Sequence, residues 1–161
     1  MLAAAGDFYT PAADVDAPRV LSTWAWLLRR PYRLLGLSAF GDLFLEDADG
    51  SIKMLDLVAC ELKDIATCIE EFDWGLGDPA HQEEWLMAGL CRRATQIGIL
   101  RAANQCLAFQ TPPILGGSLE PENLIAWDRW TYYEGLAKLL PQILNLPLGT
   151  EVVIKPSESG G

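Results

Sequence analysis

Acidic side chains are the most numerous groups in this chain that could do chemistry. Close pairs of carboxylates occur at Asp42 and Glu46, Glu70 and Glu71, and Glu83 and Glu84. Hydrolysis by paired acids needs two carboxyl groups held in one cleft, one of them with a raised pKa. Because nothing in the spacing selects such a pair, we interpret these acids as solvated surface residues and predict no catalytic residue among them.

A nucleophilic serine is the second candidate chemistry, and the sequence argues against it. Gly36-x-Ser38 begins like a nucleophile elbow, but Phe40 occupies the position of the second glycine. The single histidine, His81, lies far along the chain in the expected first turn of a helix. A Ser-His pair is therefore not expected, and the chain is predicted not to be an enzyme.

Metal and cofactor sites are not expected either. Aligning Gly50 of Asp47-x-Asp49-Gly50 with the sixth position of a calcium loop places Leu45 where the first carboxylate ligand is required. Gly116-Gly117 lacks the lysine and further glycines of a phosphate-binding loop. Both motifs are interpreted as turns. The four cysteines form no CxxC pair and are interpreted as small buried residues, which is typical of a reducing, cytoplasmic compartment.

Composition describes an acidic globular chain. It has 161 residues, a net charge of −10 and 50% hydrophobic residues, which suits one folded domain rather than a disordered chain. The acidity argues against direct binding of nucleic acid or anionic membranes, since there is no basic patch to release counterions. No segment has the length and apolar composition of a membrane span, and residues 1–10 lack the basic start of a secretory signal.

The elements that must position these side chains follow from periodicity and turn signals. Helices are predicted from Pro18 to the residues before Pro31, over residues 59–72, from Asp78-Pro79 to Gly98, and from Thr131 to Pro141. Strands are predicted over residues 40–46, 52–57, 104–110, 123–127 and 150–155, the first two forming a hairpin around residues 47–50. Among the six tryptophans, Trp24 and Trp85 fit core-facing positions.

This order of elements predicts an α+β fold: one compact domain with a small antiparallel or mixed sheet packed against about four helices. We place that domain over residues 17–156, preceded by a loose lead-in over residues 1–16. Residues 157–161, which are rich in serine and glycine, are expected to form a disordered tail.

Several short motifs occur along the chain in a characteristic order. They are Phe40-Gly41-Asp42-Leu43-Phe44, Asp49-Gly50, Leu55-Asp56, Glu71-Phe72, Glu84-Trp85-Leu86, Gln105-Cys106 before Phe109, Pro112-Pro113-Ile114-Leu115-Gly116-Gly117 with Asn123, and Leu146-Pro147-x-Gly149-Thr150. The set resembles the domain of type VI secretion immunity proteins that neutralise DNase toxins, over roughly residues 20–155. The resemblance implies an α+β domain without catalytic activity that binds a toxin and keeps it from its substrate.

The expected partner is thus a basic toxin, a nuclease, and the chain is expected to be a monomer or weak homodimer without a cofactor. An acidic inhibitor can match a basic nuclease and gain association rate by steering. Two candidate surfaces are the hairpin edge and the end of the helix over residues 59–72. Their residues are Asp42, Glu46, Asp47 and Asp49 on the hairpin, and Glu70, Glu71, Asp73 and Trp74 on the helix. The alternatives are a small-molecule-binding or regulatory domain on the same fold, and a hydrolase that uses paired acids.

Overall fold

The structure is a computed structural model that describes residues 7–144, and these residues form an α+β fold. Its strands are β1 (Tyr9–Pro11), β2 (Arg33–Ser38), β3 (Leu43–Glu46), β4 (Ile52–Asp56), β5 (Glu61–Ala66), β6 (Gln105–Phe109) and β7 (Leu124–Asp128). Its α-helices are α1 (Ala17–Leu28), α2 (Ile69–Leu76), α3 (Pro79–Leu86), α4 (Ala88–Gln96) and α5 (Arg129–Leu144). The predicted fold class is confirmed, with five helices in the described residues where about four were expected.

The main sheet is antiparallel throughout, with its strands in the order β1-β2-β3-β4-β5. The predicted hairpin is its centre, and β3 and β4 pair Leu45 with Lys53. Residues 47–50 form the turn, in which Gly50 takes a φ of 86° that suits glycine. The Gly50 N–H donates to the Asp47 carbonyl at 2.9 Å. The turn interpretation of this motif is confirmed.

Helices cover both faces of the sheet, which explains why β3 is apolar without alternation. Leu43, Leu45 and Leu55 pack on one face in a cluster that includes Trp24 of α1 and Tyr133 of α5. The residues between them point to the other face, because side chains alternate along a strand. That second cluster contains Phe44, Ile52 and Met54 with Phe72, Leu76 and Trp85 from α2 and α3. Trp24 and Trp85 therefore lie in the core, as predicted.

The ribbon of β6 and β7 forms a second, two-stranded sheet that packs with α4. The Leu107 N–H donates to the Ala39 carbonyl at 2.8 Å and so joins the ribbon to the turn that precedes β3. The loop between β6 and β7 is closed by Asn123, whose amide group bonds the Thr111 N–H at 2.9 Å and the Thr111 carbonyl at 2.8 Å. Asn123 thus holds the loop with Pro112 and Pro113 in place.

The prediction of one helix over residues 59–72 is wrong. Residues 61–66 are β5, which pairs with β4 through Lys53 and Asp64 and through Asp56 and Glu61, and α2 begins only at residue 69. Pairing satisfies backbone groups that β4 would otherwise leave unpaired at the sheet edge. The apolar residues of 59–72 are spaced like one face of a helix, but they belong to a strand and to a short helix that follows it closely.

The lead-in expected over residues 1–16 is wrong for residues 9–14. Tyr9–Pro11 pairs with β2, a strand that the sequence analysis missed, and residues 12–14 form a short 3-10 helix. The Tyr9 ring is buried against Phe44 and Phe72, and its hydroxyl donates to the Leu35 carbonyl at 2.8 Å. This segment is held by strand pairing and ring packing with residues far along the chain. The sequence of the segment itself does not indicate these contacts.

Two further helix boundaries differ from the predictions. The helix expected from residue 78 to 98 divides into α3 and α4 at Met87, whose φ is 49°. Helix α5 begins at Arg129 and is capped by Asp128, which accepts from the Thr131 N–H at 2.9 Å. It continues past Pro141 to Leu144. Since only one turn follows Pro141, the hydrogen bond that proline removes lies near the helix end.

The strand predicted over residues 150–155, the end of the predicted domain at 156 and the tail over 157–161 all lie outside the described residues. Among the helices of residues 7–144, none combines the length and apolar character needed to cross a membrane.

Candidate functional site

The short helix α2 carries one of the two predicted partner-binding surfaces. Phe72 and Leu76 are buried and fix which side of the helix faces the core. At 100° per residue, Glu70 and Trp74 fall on the opposite side and Asp73 falls on the flank between the two sides. All three are exposed, and Trp74 keeps 62% of its surface accessible although tryptophan is usually well buried. The helix thus presents a large aromatic ring among carboxylates.

Glu71 has a structural task at the start of this helix. Its Oε2 accepts from the Thr67 N–H at 3.0 Å and from the Thr67 hydroxyl at 2.6 Å. These hydrogen bonds hold the pKa of Glu71 below its usual value. The carboxylate is exposed and ionised, and it fixes the entry into α2 while adding negative charge to the same surface.

The histidine lies beside Trp74. Asp78 caps α3, since its Oδ2 accepts from the His81 N–H at 3.2 Å and lies 2.6 Å from His81 Nδ1. The imidazole ring stands between two indoles, 5.5 Å from Trp74 and 4.6 Å from Trp85, centroid to centroid. We call the residues Glu70, Glu71, Asp73, Trp74 and His81 the Trp74 surface. The Asp78-Pro79 cap signal places His81 in the first turn of a helix, as predicted, but its contact with Trp74 required the tertiary structure.

The acids of the Trp74 surface form no ion pair with a described residue. Within residues 7–144, no Lys, Arg or His nitrogen lies within 4.0 Å of the carboxylates of Glu70, Glu71 or Asp73. A partner that binds these charges therefore has no ion pair within residues 7–144 to break. The structure brings together all four residues that the sequence analysis placed at this end of the predicted helix.

The hairpin edge is electrostatically different, because two of its acids are paired within the protein. Glu46 forms an ion pair with Arg33 at 2.9 Å, and Asp47 forms one with Arg30. Asp49 is exposed and accepts from the Ser51 N–H at 2.9 Å, a bond that together with the Ser51 hydroxyl lowers its pKa. Of the predicted hairpin acids, Asp49 alone presents a charge that no described cation pairs with.

Asp42 lies in the core, so the prediction that it belongs to an exposed surface is wrong. Only 1% of its surface is accessible. Its Oδ1 accepts from the Leu57 N–H at 2.9 Å, and its Oδ2 accepts from the Ser38 hydroxyl at 2.8 Å. The side chain therefore ties the turn before β3 to the end of β4. Burial, reinforced by the charge of Asp56, raises the pKa of Asp42 to about 7.

No arrangement for metal binding is found in residues 7–144, where no three His, Cys, Asp or Glu side chains are grouped to hold an ion. The four cysteines are free. Cys91 and Cys106 are buried, as predicted, and burial raises the pKa of each thiol to about 12. Cys60 and Cys68 are only half-buried.

Comparisons with known proteins bear on the fold alone. No protein-family model matches the chain, and no curated protein is a significant match. Among solved structures, the crystal structure of Atu4351 from Agrobacterium tumefaciens is similar, with a TM-score of 0.60 and 16% sequence identity. The similarity covers 83% of this chain and 67% of that one. At this identity the similarity shows a shared fold and nothing of function.

Proposed function

We propose that this protein is a non-enzymatic bacterial immunity protein that acts in the cytoplasm. It binds a basic secreted toxin, a type VI nuclease, and blocks it by stoichiometric occlusion. The observation that carries the proposal is the Trp74 surface, where an exposed indole is surrounded by three carboxylates with no cationic partner among the described residues. The ordered motifs that resemble type VI immunity domains support the same function.

The energetics of this surface suit a tight inhibitor. Tryptophan is enriched among the few interface residues that supply most of the binding free energy. The surrounding carboxylates steer a basic partner and raise the association rate. His81, which itself packs against Trp85, supports one side of the Trp74 ring, so less side-chain freedom is lost on binding.

The hairpin edge is the weaker of the two predicted surfaces. A toxin arginine that approached Glu46 or Asp47 would have to displace Arg33 or Arg30. The gain from a new ion pair would then be offset by the loss of the old one. We therefore assign the principal contact to the Trp74 surface and only a charge contribution to Asp49.

The experiment is to co-express this protein with the product of the adjacent gene, score survival, and measure the dissociation constant of the purified pair. Wild type should protect cells and form a one-to-one complex. Trp74→Ala should weaken binding by about 2 kcal/mol or more, roughly thirtyfold. Glu70→Gln with Asp73→Asn, which spares the Glu71 cap, should slow association and reduce its salt dependence.

Matched controls use residues outside the Trp74 surface. Trp127→Ala removes an indole that is 46% exposed on β7, and Glu122→Gln removes an exposed charge that, like those of Glu70 and Asp73, forms no ion pair with a described residue. Both should leave affinity and protection unchanged. If the adjacent product is neither toxic nor bound, immunity is excluded; if the control variants weaken binding as much as Trp74→Ala, the assignment of the surface is wrong.

A further inference from the structure

A cleft of about 940 Å³ lies between the last turns of α4, the segment that follows it and the residues before β1. Its apolar wall includes Phe8, Ile99, Leu100 and Leu107. Its volume lies within the range of small-molecule sites. The cleft shares no residue with the Trp74 surface, so toxin binding at that surface does not account for it.

Two arginines line this cleft, and neither has a carboxylate partner in the described part of the chain. The Arg101 guanidinium donates to the main-chain carbonyl of Asp7 at 3.3 Å, and the Arg92 guanidinium lies 5.1 Å from the centre of the Phe8 ring. No carboxylate of residues 7–144 comes within ion-pair distance of either one. Arg101 is half-buried, and burial lowers its pKa. A half-buried cation that lacks a counter-ion is energetically unfavourable.

A third arginine lies behind the cleft wall and increases the positive charge there. Arg129 is only 5% exposed and donates to the carbonyl of Ala103, a cleft residue, at 3.2 Å. Its charge acts on Arg101 and lowers the pKa of Arg101 further. In a chain with 22 acidic and 12 basic residues, pairing partners are abundant. This cluster of arginines is nevertheless left without an ion pair among the described residues.

Acidic residues are present at the edge of the cleft but do not neutralise it. Asp7 and Asp14 both line it, and both are exposed to solvent. Asp7 contacts Arg101 through its main-chain carbonyl, and its carboxylate acts on Arg101 only from beyond ion-pair distance. Among residues 7–144, the main-chain carbonyl of Asp7 is the only hydrogen-bond acceptor of the Arg101 guanidinium.

We infer that this cleft binds an organic oxyanion, with its carboxylate or phosphate group held by Arg101 and Arg92 and its apolar body against Phe8, Ile99 and Leu100. Guanidinium groups match both oxyanions through paired N–H donors, and the bonds are strengthened by charge. Phe8, beside which Arg92 lies, is part of the apolar lining available to the body of the ligand. We call the site the Arg101 cleft.

The test is to titrate the full chain at low salt with three probes of similar shape: phenyl phosphate, phenylacetate and the neutral benzyl alcohol. Both oxyanions, or one of them, should bind at least about tenfold more tightly than benzyl alcohol. The comparison of phenyl phosphate with phenylacetate tells which oxyanion the cleft prefers. Equal affinity for all three probes, or no measurable binding of either oxyanion, would overturn the inference.

Variants test whether the probes bind in the cleft. Arg101→Met and Arg92→Met should each weaken binding by about tenfold or more, since each removes one charge-assisted contact. Arg33→Met removes an equal charge on β2 and should leave binding unchanged. Leu100→Asp covers the case in which Arg101→Met fails to fold, because Leu100 is 70% exposed and an aspartate there would repel an anion. Unchanged binding in both Arg92→Met and Leu100→Asp would refute the site.

The Arg101 cleft and toxin binding are independent proposals. The cleft variants leave every residue of the Trp74 surface in place, and Trp74→Ala leaves every cleft residue in place. Loss of probe binding in Arg101→Met with full protection against the toxin would support both proposals and show that the two sites act separately, whereas loss of probe binding in a protein whose wild type gives no protection would support the cleft alone.

Discussion

Replacing Asp42 with asparagine should change how the stability of this protein depends on pH. The carboxyl group is buried, and its pKa is raised from an ordinary value of 3.8 to about 7. Between pH 3.8 and about pH 7, the Asp42 carboxyl group stays protonated in the folded protein but has lost its proton in the unfolded chain. The free energy of unfolding must therefore fall as pH rises, and the fall ends once the folded carboxyl has also ionised.

The size of this effect follows from the two pKa values. Linkage gives a loss of about 2 to 3 kcal/mol in unfolding free energy between about pH 5 and about pH 8 from this one group. Asparagine has nearly the same shape and does not titrate. Its oxygen can still accept from the Leu57 N–H, so Asp42→Asn should fold and lose this part of the pH dependence.

Urea unfolding followed by tryptophan fluorescence at several pH values measures the effect, and the six tryptophans provide the signal. The difference between Asp42→Asn and wild type isolates Asp42, because every other titrating group is common to both. Asp49→Asn is the control: hydrogen bonds to Ser51 lower the pKa of Asp49, so its removal should not alter the slope above about pH 5. Parallel curves for Asp42→Asn and wild type would refute a buried carboxyl that titrates near neutrality.

Further predictions concern packing and thiol reactivity. Gly117→Ala should destabilise the protein by about 1 to 3 kcal/mol, because the added Cβ would lie 1.8 Å from the Thr111 carbonyl oxygen. Gly135→Ala in α5 should instead stabilise the protein by about 0.5 to 1 kcal/mol, because a Cβ there would meet no atom within 4 Å outside its own helix backbone. Thermal unfolding of both variants checks this, and equal midpoints would contradict it. Iodoacetamide should label Cys68 well before Cys91 and Cys106 in the native protein, because burial raises the pKa of the latter two thiols to about 12. Peptide mass spectrometry would show the order, and early labelling of Cys91 would contradict it.

The candidate site was partly predictable from the sequence. Glu70, Glu71, Asp73 and Trp74 were selected because acids cluster beside an aromatic residue, and the structure exposes all four. The same reasoning failed for Asp42, since a carboxylate close to a turn in sequence can face inward when backbone N–H groups there need an acceptor. It also missed the Arg101 cleft, because Asp7 and Phe8 are far from Arg92 and Arg101 along the chain and contact them only in the fold.

Elements that are specified by residues close together in the sequence were predictable. The turn at residues 47–50, the Asp78-Pro79 helix start and the helix that ends before Pro31 depend on residues within a few positions of each other. Strands β1, β2 and β5 depend instead on partners elsewhere in the chain, as when Tyr9 pairs with Ser38. The apolar and polar pattern of residues 59–72 suits a helix, and pairing with β4 converted its first half into a strand.

The sequence by itself determined the α+β class, the hairpin, the overall acidity and the position of an acidic segment that ends in Trp74. The tertiary structure decided which of those acids are free, which are paired and which are buried. Ionisable groups respond to whatever lies within a few ångströms in space, and the fold places Arg33 beside Glu46 and the Leu57 N–H beside Asp42. Charge is a property of the sequence, whereas its availability to a partner is a property of the packed molecule.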